Sequence, residues 1–309
     1  MSSTRTTKRR RAFLAAGSVL TMTALAACSS VDDGGSGGGA GTTVETLKDA
    51  GTVNVAFNGE KPYSYKEGDE LTGATIALDT EVFGELGVAE VEGTQTEWNS
   101  LIPGLNAGRY DTVSAGMSIL PERCEQAAFA EPTIMYTTAF LVPEGNPEKL
   151  TDWQSVEDSG LTIAVTSGAI EDGYAQQTGV KTITVGDSTD GLNAVVSGRA
   201  DAFALTGISI RALADSTDEP VEATDAFVAT IDGVSQVGAG AEVFRKGDTE
   251  LLEAYNEKLT PILEDKDKWL EIMEPFGFTE AEYPPPGLTA DMLCEGDLAK
   301  ISDELGLDS

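Results

Sequence analysis

The chain has 309 residues, enough for two ordinary domains, and about 40% of it is apolar, so a sizeable core is available. Acidic residues outnumber basic ones by 52 to 20; the net charge of −32 argues against nucleic acid or an anionic membrane surface as partner. There is no histidine, which excludes Ser-His-Asp and Cys-His catalysis and every His-ligated metal site, and no run is long enough to span a bilayer as a mature helix.

The N-terminus reads as a targeting segment. "TKRRRAFLAAGSVLTMTALAAC" has a basic start, an apolar stretch from Phe13 to Ala27 and small residues at its end. Arg10-Arg11-Ala12-Phe13-Leu14 resembles a twin-arginine export signal. Leu25-Ala26-Ala27-Cys28 resembles a lipobox, which implies cleavage before Cys28 and a lipid on its sulfur; the alternative is a plain secretory signal with an incidental cysteine. Cleavage would remove five basic residues and no acidic ones, leaving 15 against 52 and a net charge of −37. Cys124 and Cys294 then remain, and in an oxidising compartment two leftover cysteines most simply pair. Such a bond closes a loop of about 170 residues and contributes roughly 4–5 kcal/mol in the chain-entropy view.

Residues 28–43 include the Gly- and Ser-rich run "SSVDDGGSGGGAG" and are expected to be a flexible tether, with the folded body starting near Val44. Strand and helix patterns then alternate. "TVNVAF" (52–57) predicts a strand, and "IALDTEVFGELG" (76–87) a helix with Gly87 as its stop. "NSLIPGLNAG" (99–108) predicts a helix opening near Asn99, and "YDTVSAG" a strand. "LTIAVTS" (161–167) and "KTITVGD" (181–187) predict strands around a helical stretch. "STDGLNAVVSGRADAFAL" (188–205) predicts a helix feeding a strand. Residues 249–265 and 267–277 predict C-terminal helices. The alternation argues for α/β architecture with mainly parallel sheets.

One internal echo stands out. "LNAGRYDTVSAG" (105–116) and "VVSGRADAFALTG" (195–207) share an apolar helix, Gly-Arg-x-Asp and a strand. Gly108 and Gly198 would cap the helices, and Asp111 and Asp201 would open the strands. The echo fits convergent turn chemistry or two lobes built alike that share a cleft at their strand ends.

The segments "FNGEKPYSY", "LTGATIALDTEVFGELGV", "SLIPGLNAGRYDTVSAGMSILPERC", "SGRADAF" and "FRKGDTELLEAYNEKL" together resemble the extracytoplasmic solute-binding proteins of polar amino acid importers. The resemblance covers about residues 44–296 and is nearest to ectoine- and hydroxyectoine-binding proteins, through "IPGLNAGRYD", "LPERC", "FRKGD", "EPFGF" and the late Cys294. It implies a two-lobed type II periplasmic binding fold with a mainly parallel sheet in each lobe and the ligand between them. One lobe would take residues 44–139 and 240–309, the other 140–239, with hinge strands near 138–145 and 237–244.

The resemblance also implies a site. Arg123 matches the family arginine that holds a ligand carboxylate, for which a planar guanidinium is suited; the alternative is a salt bridge to one of the many acids. Cys124 would pin that loop to the C-terminal segment through Cys294. Amino-acid binders usually carry a threonine and an aspartate where this chain has Leu120 and Thr206, and both help hold an α-ammonium. A buried ammonium without a carboxylate is costly, so the ligand is expected to lack a primary ammonium in the usual place. Ectoine, a ring with a carboxylate and a delocalised amidinium, fits. Glu60 matches the acid on the ring nitrogens, and Tyr63 and Trp98 match two cage aromatics; the bland alternatives are a solvated turn acid and core packing. Ser118 replaces the third aromatic, with Phe203 or Tyr174 as possible substitutes. In "VTSGAIED" (165–172), Ala169 and Ile170 stand where the family often shows a Gly-Thr contact, so that no hydroxyl helps; Gly168 and Ala169 remain candidate contacts through backbone N–H groups at the next helix start, which can bind a carboxylate.

The expected function is therefore a monomeric, lipid-anchored receptor on the outer face of the cell membrane. It would deliver a small zwitterionic compatible solute to ABC permease and ATPase subunits, with no cofactor, metal or nucleic acid. A polar amino acid binder is the alternative. A dehydratase is a third reading, for which Glu60 or Glu171 could serve as the acid.

Overall fold

The computed structural model describes residues 41–306. The expected signal peptide, Cys28 and most of the tether lie outside those residues. Thr42 is tied into the body, its N–H on Asp248 Oδ1 at 3.1 Å and its hydroxyl on Asp111 Oδ1 at 3.1 Å. Thr43 caps helix α1 (Val44–Ala50) by accepting from Thr46 N.

The first lobe starts with β1 (Thr52–Phe57), the hairpin β2 (Tyr65–Glu67) and β3 (Glu70–Thr72), α2 (Ala74–Glu85) and β4 (Glu90–Gln95). A tight helical turn at Trp98–Ser100 leads to α3 (Leu101–Asn106), β5 (Thr112–Ser118), the short helix α4 (Pro121–Cys124), β6 (Ala128–Phe129) and β7 (Ile134–Tyr136). The second lobe holds β8 (Thr138–Pro143), α5 (Trp153–Ser159), β9 (Thr162–Thr166), α6 (Ile170–Thr178), β10 (Lys181–Val185), α7 (Ser188–Val196), β11 (Ala202–Thr206), α8 (Gly207–Asp215), β12 (Val221–Ala223) and the hairpin β13 (Thr230–Ile231) and β14 (Val234–Ser235). The chain returns along β15 (Gly238–Phe244) into α9 (Thr249–Leu263), α10 (Lys266–Met273), α11 (Ala290–Glu295) and α12 (Leu298–Leu305).

The two sheets follow one plan. In the first, β4, β1 and β5 run parallel and β15 lies antiparallel against β5. In the second, β10, β9 and β11 run parallel and β8 lies antiparallel against β11. The antiparallel strand of each sheet is also the one that receives the chain from the other lobe. β7 still pairs with β15, whereas β8, one residue further on, already pairs with β11. Sequence reading placed one helix over 267–277; α10 stops at Met273 and Glu274–Phe276 continues as a tighter turn ended by Gly277. Pro275 has no N–H to extend the α-helical ladder.

The repeated Gly-Arg-x-Asp does the same work in both lobes. Gly108 and Gly198 both sit at φ +68°, a left-handed conformation that only glycine adopts without strain. Each donates its N–H back to the preceding helix, to Leu105 and Val195. The Asp111 carboxylate accepts from Asn54 N at 2.9 Å, and that of Asp201 from Thr162 N at 2.8 Å. Each aspartate thus clips the helix–strand turn to the adjacent parallel strand, and fixes where that strand's far end points.

Burial follows the strand alternation. Phe140 and Val142 face one side of the second sheet with Ile163, Val165 and Trp153, while Ala139, Leu141, Ala164 and Phe203 face the other. The first lobe has one larger core, containing Val53, Phe83, Phe244, Tyr255 and Trp269. Two acids lie within it. Asp79 on α2 accepts from Tyr255 Oη at 2.7 Å and from Ser114 Oγ, and burial pushes its pKa up to about 6. Glu242 on β15 is raised as well, by burial and then by Asp79.

Candidate functional site

The facing ends of the two lobes make a narrow cleft. Its walls include Glu60, Tyr63, Trp98 and Ser118 from the first lobe and Ala169 and Thr206 from the second. The loop after β1 carries Glu60 and Tyr63 and is clamped by the start of α2, where Ala74 N and Thr75 N donate to the carbonyls of Pro62 and Tyr63 at 2.9 and 3.0 Å. The Tyr63 ring lies on Gly116 of β5: a Cβ there would come within 2.7 Å of the ring, and the residue holds φ +54°. Any larger residue at 116 would displace the ring.

Arg123 and Gly168 line a neighbouring cavity of about 420 Å³, of which Ser118, Ala169 and Ile170 form the shared wall. Arg123 is 9% exposed. Its guanidinium donates to Ser118 O at 2.9 Å and to Gly168 O at 2.8 Å, and sits 5.4 Å from the Trp98 ring. Among the described residues no carboxylate forms an ion pair with it. Burial lowers its pKa, with Glu122, Tyr136 and Glu171 opposing, but an arginine starts so high that it stays cationic. A guanidinium has five N–H donors, so two carbonyls leave it capacity for an anion. Cys124, next to it on α4, is bonded to Cys294 of α11. That bond ties the arginine's helix to the C-terminal segment.

The lobes touch across the cleft through side chains. Ser209 Oγ of α8 donates to Glu60 Oε1 at 2.7 Å, and Tyr63 Oη donates to Thr206 Oγ1 at 3.0 Å. Trp98 Nε1 donates to Gly168 O at 3.3 Å, and Asn99 Nδ2 to Ser167 Oγ at 3.0 Å. The lobes are therefore closed on one another. Burial raises the Glu60 pKa, while the hydrogen bonds from Ser209 and Asn58 hold it down in part.

Three expectations need correcting. Phe203 does not supply a third ring: it is fully buried in the second lobe, against Gly191. Tyr174 packs edge-on against Trp153 at 5.5 Å and lines the neighbouring cavity instead of the cleft. The N–H groups entering α6 are partly occupied by the segment itself, since Gly168 N donates to Asp172 Oδ2 at 3.1 Å and Ala169 N to Thr166 O at 3.0 Å. Asp172 at the start of α6 thus acts locally.

Glu171 was expected only as a candidate acid under the dehydratase reading, and not as a ligand contact of the solute-binding site. It is 0% exposed, lines the cleft beside Thr166 and Thr206, and accepts weakly from Thr138 Oγ1 at 3.4 Å. Burial, followed by the nearby Glu60, pushes its pKa up to about 8 against the pull of its own N–H, Thr138 and Arg123. Ser209 was missed too. Its only signal in the sequence is its place three residues after Thr206, one turn into a helix.

A cleft between two α/β lobes, with a cation near one side and acids near the other, is suited to holding a small charged solute by closure. Residues 53–279 match the family of bacterial extracellular solute-binding proteins, family 3. The probable amino-acid ABC transporter periplasmic-binding protein y4tE of Sinorhizobium fredii is 33% identical over 259 residues, covering 82% of this chain and 86% of its own length. The crystal structure of EhuB in complex with hydroxyectoine superposes with a TM-score of 0.72 at 32% identity, over 82% of this chain and 98% of that one. An ancestral amino acid-binding protein, AncCDT-1, described as a precursor of cyclohexadienyl dehydratase, gives 0.66 at 28% identity over 76% of this chain and 99% of its own. The chain belongs to the bacterial extracellular solute-binding proteins of family 3, and is a solute-binding protein of the amino-acid ABC transporter type.

Proposed function

We propose that this protein is the lipid-anchored receptor of an ABC importer and binds a small zwitterionic compatible solute, ectoine or hydroxyectoine. The ligand carboxylate lies toward Arg123 and its amidinium against Glu60, between Tyr63 and Trp98. One observation carries the reading: a buried guanidinium without a carboxylate partner stands near a cleft that also holds a carboxyl and two aromatic rings. Leu120 and Thr206 add no carboxylate for an α-ammonium. The likeness to EhuB with hydroxyectoine points the same way. Residues 44–139 with 240–309 form one lobe and 140–239 the other, closing about β8 and β15. The receptor works as a monomer with permease and ATPase subunits, held to the membrane through Cys28.

Calorimetry and thermal shift with ectoines, betaines and amino acids test this. A ligand at 100 times its dissociation constant stabilises by about 2.7 kcal/mol. An α-amino acid binding far more tightly than ectoine would sink the ectoine reading. Persistence of Cys28→Ser protein in membrane fractions would sink the anchor.

The polar amino acid reading has one observation of its own. Glu171 places a carboxyl on the second lobe, where it could meet an ammonium in the absence of the family aspartate. The names of y4tE and AncCDT-1 agree with that reading.

A further inference from the structure

We propose that Glu171, with Thr166 and Thr206, forms a hydrogen-bonding corner that recognises a neutral hydroxyl on the ligand, so that the receptor prefers a hydroxylated zwitterion to its deoxy counterpart. This rests on the reading of the cleft as a zwitterion site, and it names the ligand class within that reading.

The corner is built by neighbouring elements. Thr166 ends β9 and Thr206 ends β11, adjacent parallel strands, and Glu171 stands in the first turn of α6, which follows β9. All three line the cleft and are buried. Thr166 Oγ1 and Glu171 Oε2 have no hydrogen-bond partner, although both atoms are shut away from solvent. Buried polar atoms are nearly always satisfied, so two orphans lining one cleft point to a ligand group that completes them. Thr206 accepts from Tyr63 and still has its own proton to donate.

Charge balance decides what that group is. Arg123 and Glu60 already match the carboxylate and the cation of a zwitterion, and the sum is zero. An ionised Glu171 would add an uncompensated negative charge beside Glu60 in a buried space, which is expensive. The carboxyl's raised pKa agrees with a neutral group at pH 7. A neutral carboxyl donates one hydrogen bond and accepts others, as a hydroxyl does. A methylene in the same place would leave Thr166 and Glu171 unsatisfied, and sites built to bond a hydroxyl discriminate strongly against ligands that lack it. A ligand ammonium would instead require Glu171 to ionise. The neutral isostere Glu171→Gln separates the two cases.

The experiment is calorimetry at pH 7 on wild type, Glu171→Gln, Glu171→Leu and Thr166→Val, with thermal melts to establish folding. Ligands come in pairs: hydroxyectoine and ectoine, 4-hydroxyproline and proline, serine and alanine. Wild type should prefer hydroxyectoine by about tenfold or more. Glu171→Gln should keep that ratio within about threefold, whereas Glu171→Leu should bring it near one and Thr166→Val should reduce it. Equal affinity for the two ectoines in wild type, or a preference that survives Glu171→Leu, overturns the proposal. So does loss of all binding in a folded Glu171→Gln, which would mark an ionised carboxylate holding an ammonium. If neither ectoine binds, the ectoine reading falls by itself, and the hydroxyl corner is judged on the other pairs. A hydroxylated member favoured through Glu171 supports it; no preference, or no binding by any pair, overturns it.

Discussion

The first lobe presents long side chains to the cleft, and the second presents short ones. Glu60, Tyr63 and Trp98 reach across from loops of the first lobe, each hydrogen-bonded to a group on the other side, and Arg123 does the same from α4. The second lobe answers with the Gly168 carbonyl, Ser209, Thr166, Thr206 and one fully buried acid. This asymmetry arises on two lobes that share a sheet plan and a repeated turn. A common scaffold fixes where the strand ends point, and the loops hung on them decide chemistry. On the proposed reading the first lobe holds the charges of a ligand, and the second closes on it and reads its detail.

The sharpest break is at the first lobe. Arg123→Ala and Glu60→Ala should each nearly abolish binding, because removing one member of a buried charge pair typically costs about 2–5 kcal/mol, roughly 30-fold to several thousand-fold in affinity. Arg123→Lys should not rescue, since an ammonium cannot present two parallel donors. Calorimetry on folded variants decides it, and near-normal affinity in Arg123→Ala would remove the charge role from this lobe.

The second lobe should reveal itself by pH. The Glu171 pKa stands at about 8 against an ordinary 4.5. Between those values the unfolded chain has released a proton that the native protein keeps. The stability from this group is full below about 4.5 and is lost as pH rises through 8, on the order of a few kcal/mol. Ligand-free protein should melt lower at pH 8 than at pH 5, and Glu171→Gln should flatten that difference. Unchanged slope in the variant would mean that the Asp79 and Glu242 pair, also raised, carries the effect instead.

Trp98→Ala should weaken binding by about 0.5–2 kcal/mol, less than either charge deletion, because it removes a ring face and one bond to Gly168. The smallest expected change is Tyr63→Phe, which deletes only the hydroxyl bond to Thr206 and should cost about 0.5–1.5 kcal/mol of closure. Thr206→Val removes the same bond from the other lobe. If titrations show Thr206→Val to cost much more than Tyr63→Phe, Thr206 has a further partner, as the hydroxyl corner requires.

Much of this was open to sequence reading. Strong periodicity located β1, α2, β5, β9, α7, β11 and α9, and the two Gly-Arg-x-Asp turns signalled lobes built alike. Hairpins such as β13–β14 escaped notice, because strands of two residues carry no period to read. Glu60, Tyr63 and Trp98 line one cleft, with Arg123 on the neighbouring cavity; they were singled out through motif likeness rather than through any local pattern.

What the sequence determined by itself was local and periodic: helices, strands, capped turns and two cysteines left to pair. Hydrophobic spacing and turn chemistry act between residues close in the chain, so they can be read from it. Only the tertiary structure decided the state of the acids. Among 52 acidic residues, nothing in the sequence sets Asp79 and Glu242 apart from a surface acid, and Glu171 stood out only as a possible acid for the dehydratase reading, with no sign of its burial. Folding buries all three, and a carboxyl removed from water holds its proton far longer than one left in it. Desolvation depends on what other segments bring around a group, and Thr138 of β8 and Glu60 of the loop after β1 both act on Glu171 from elements distant in the chain.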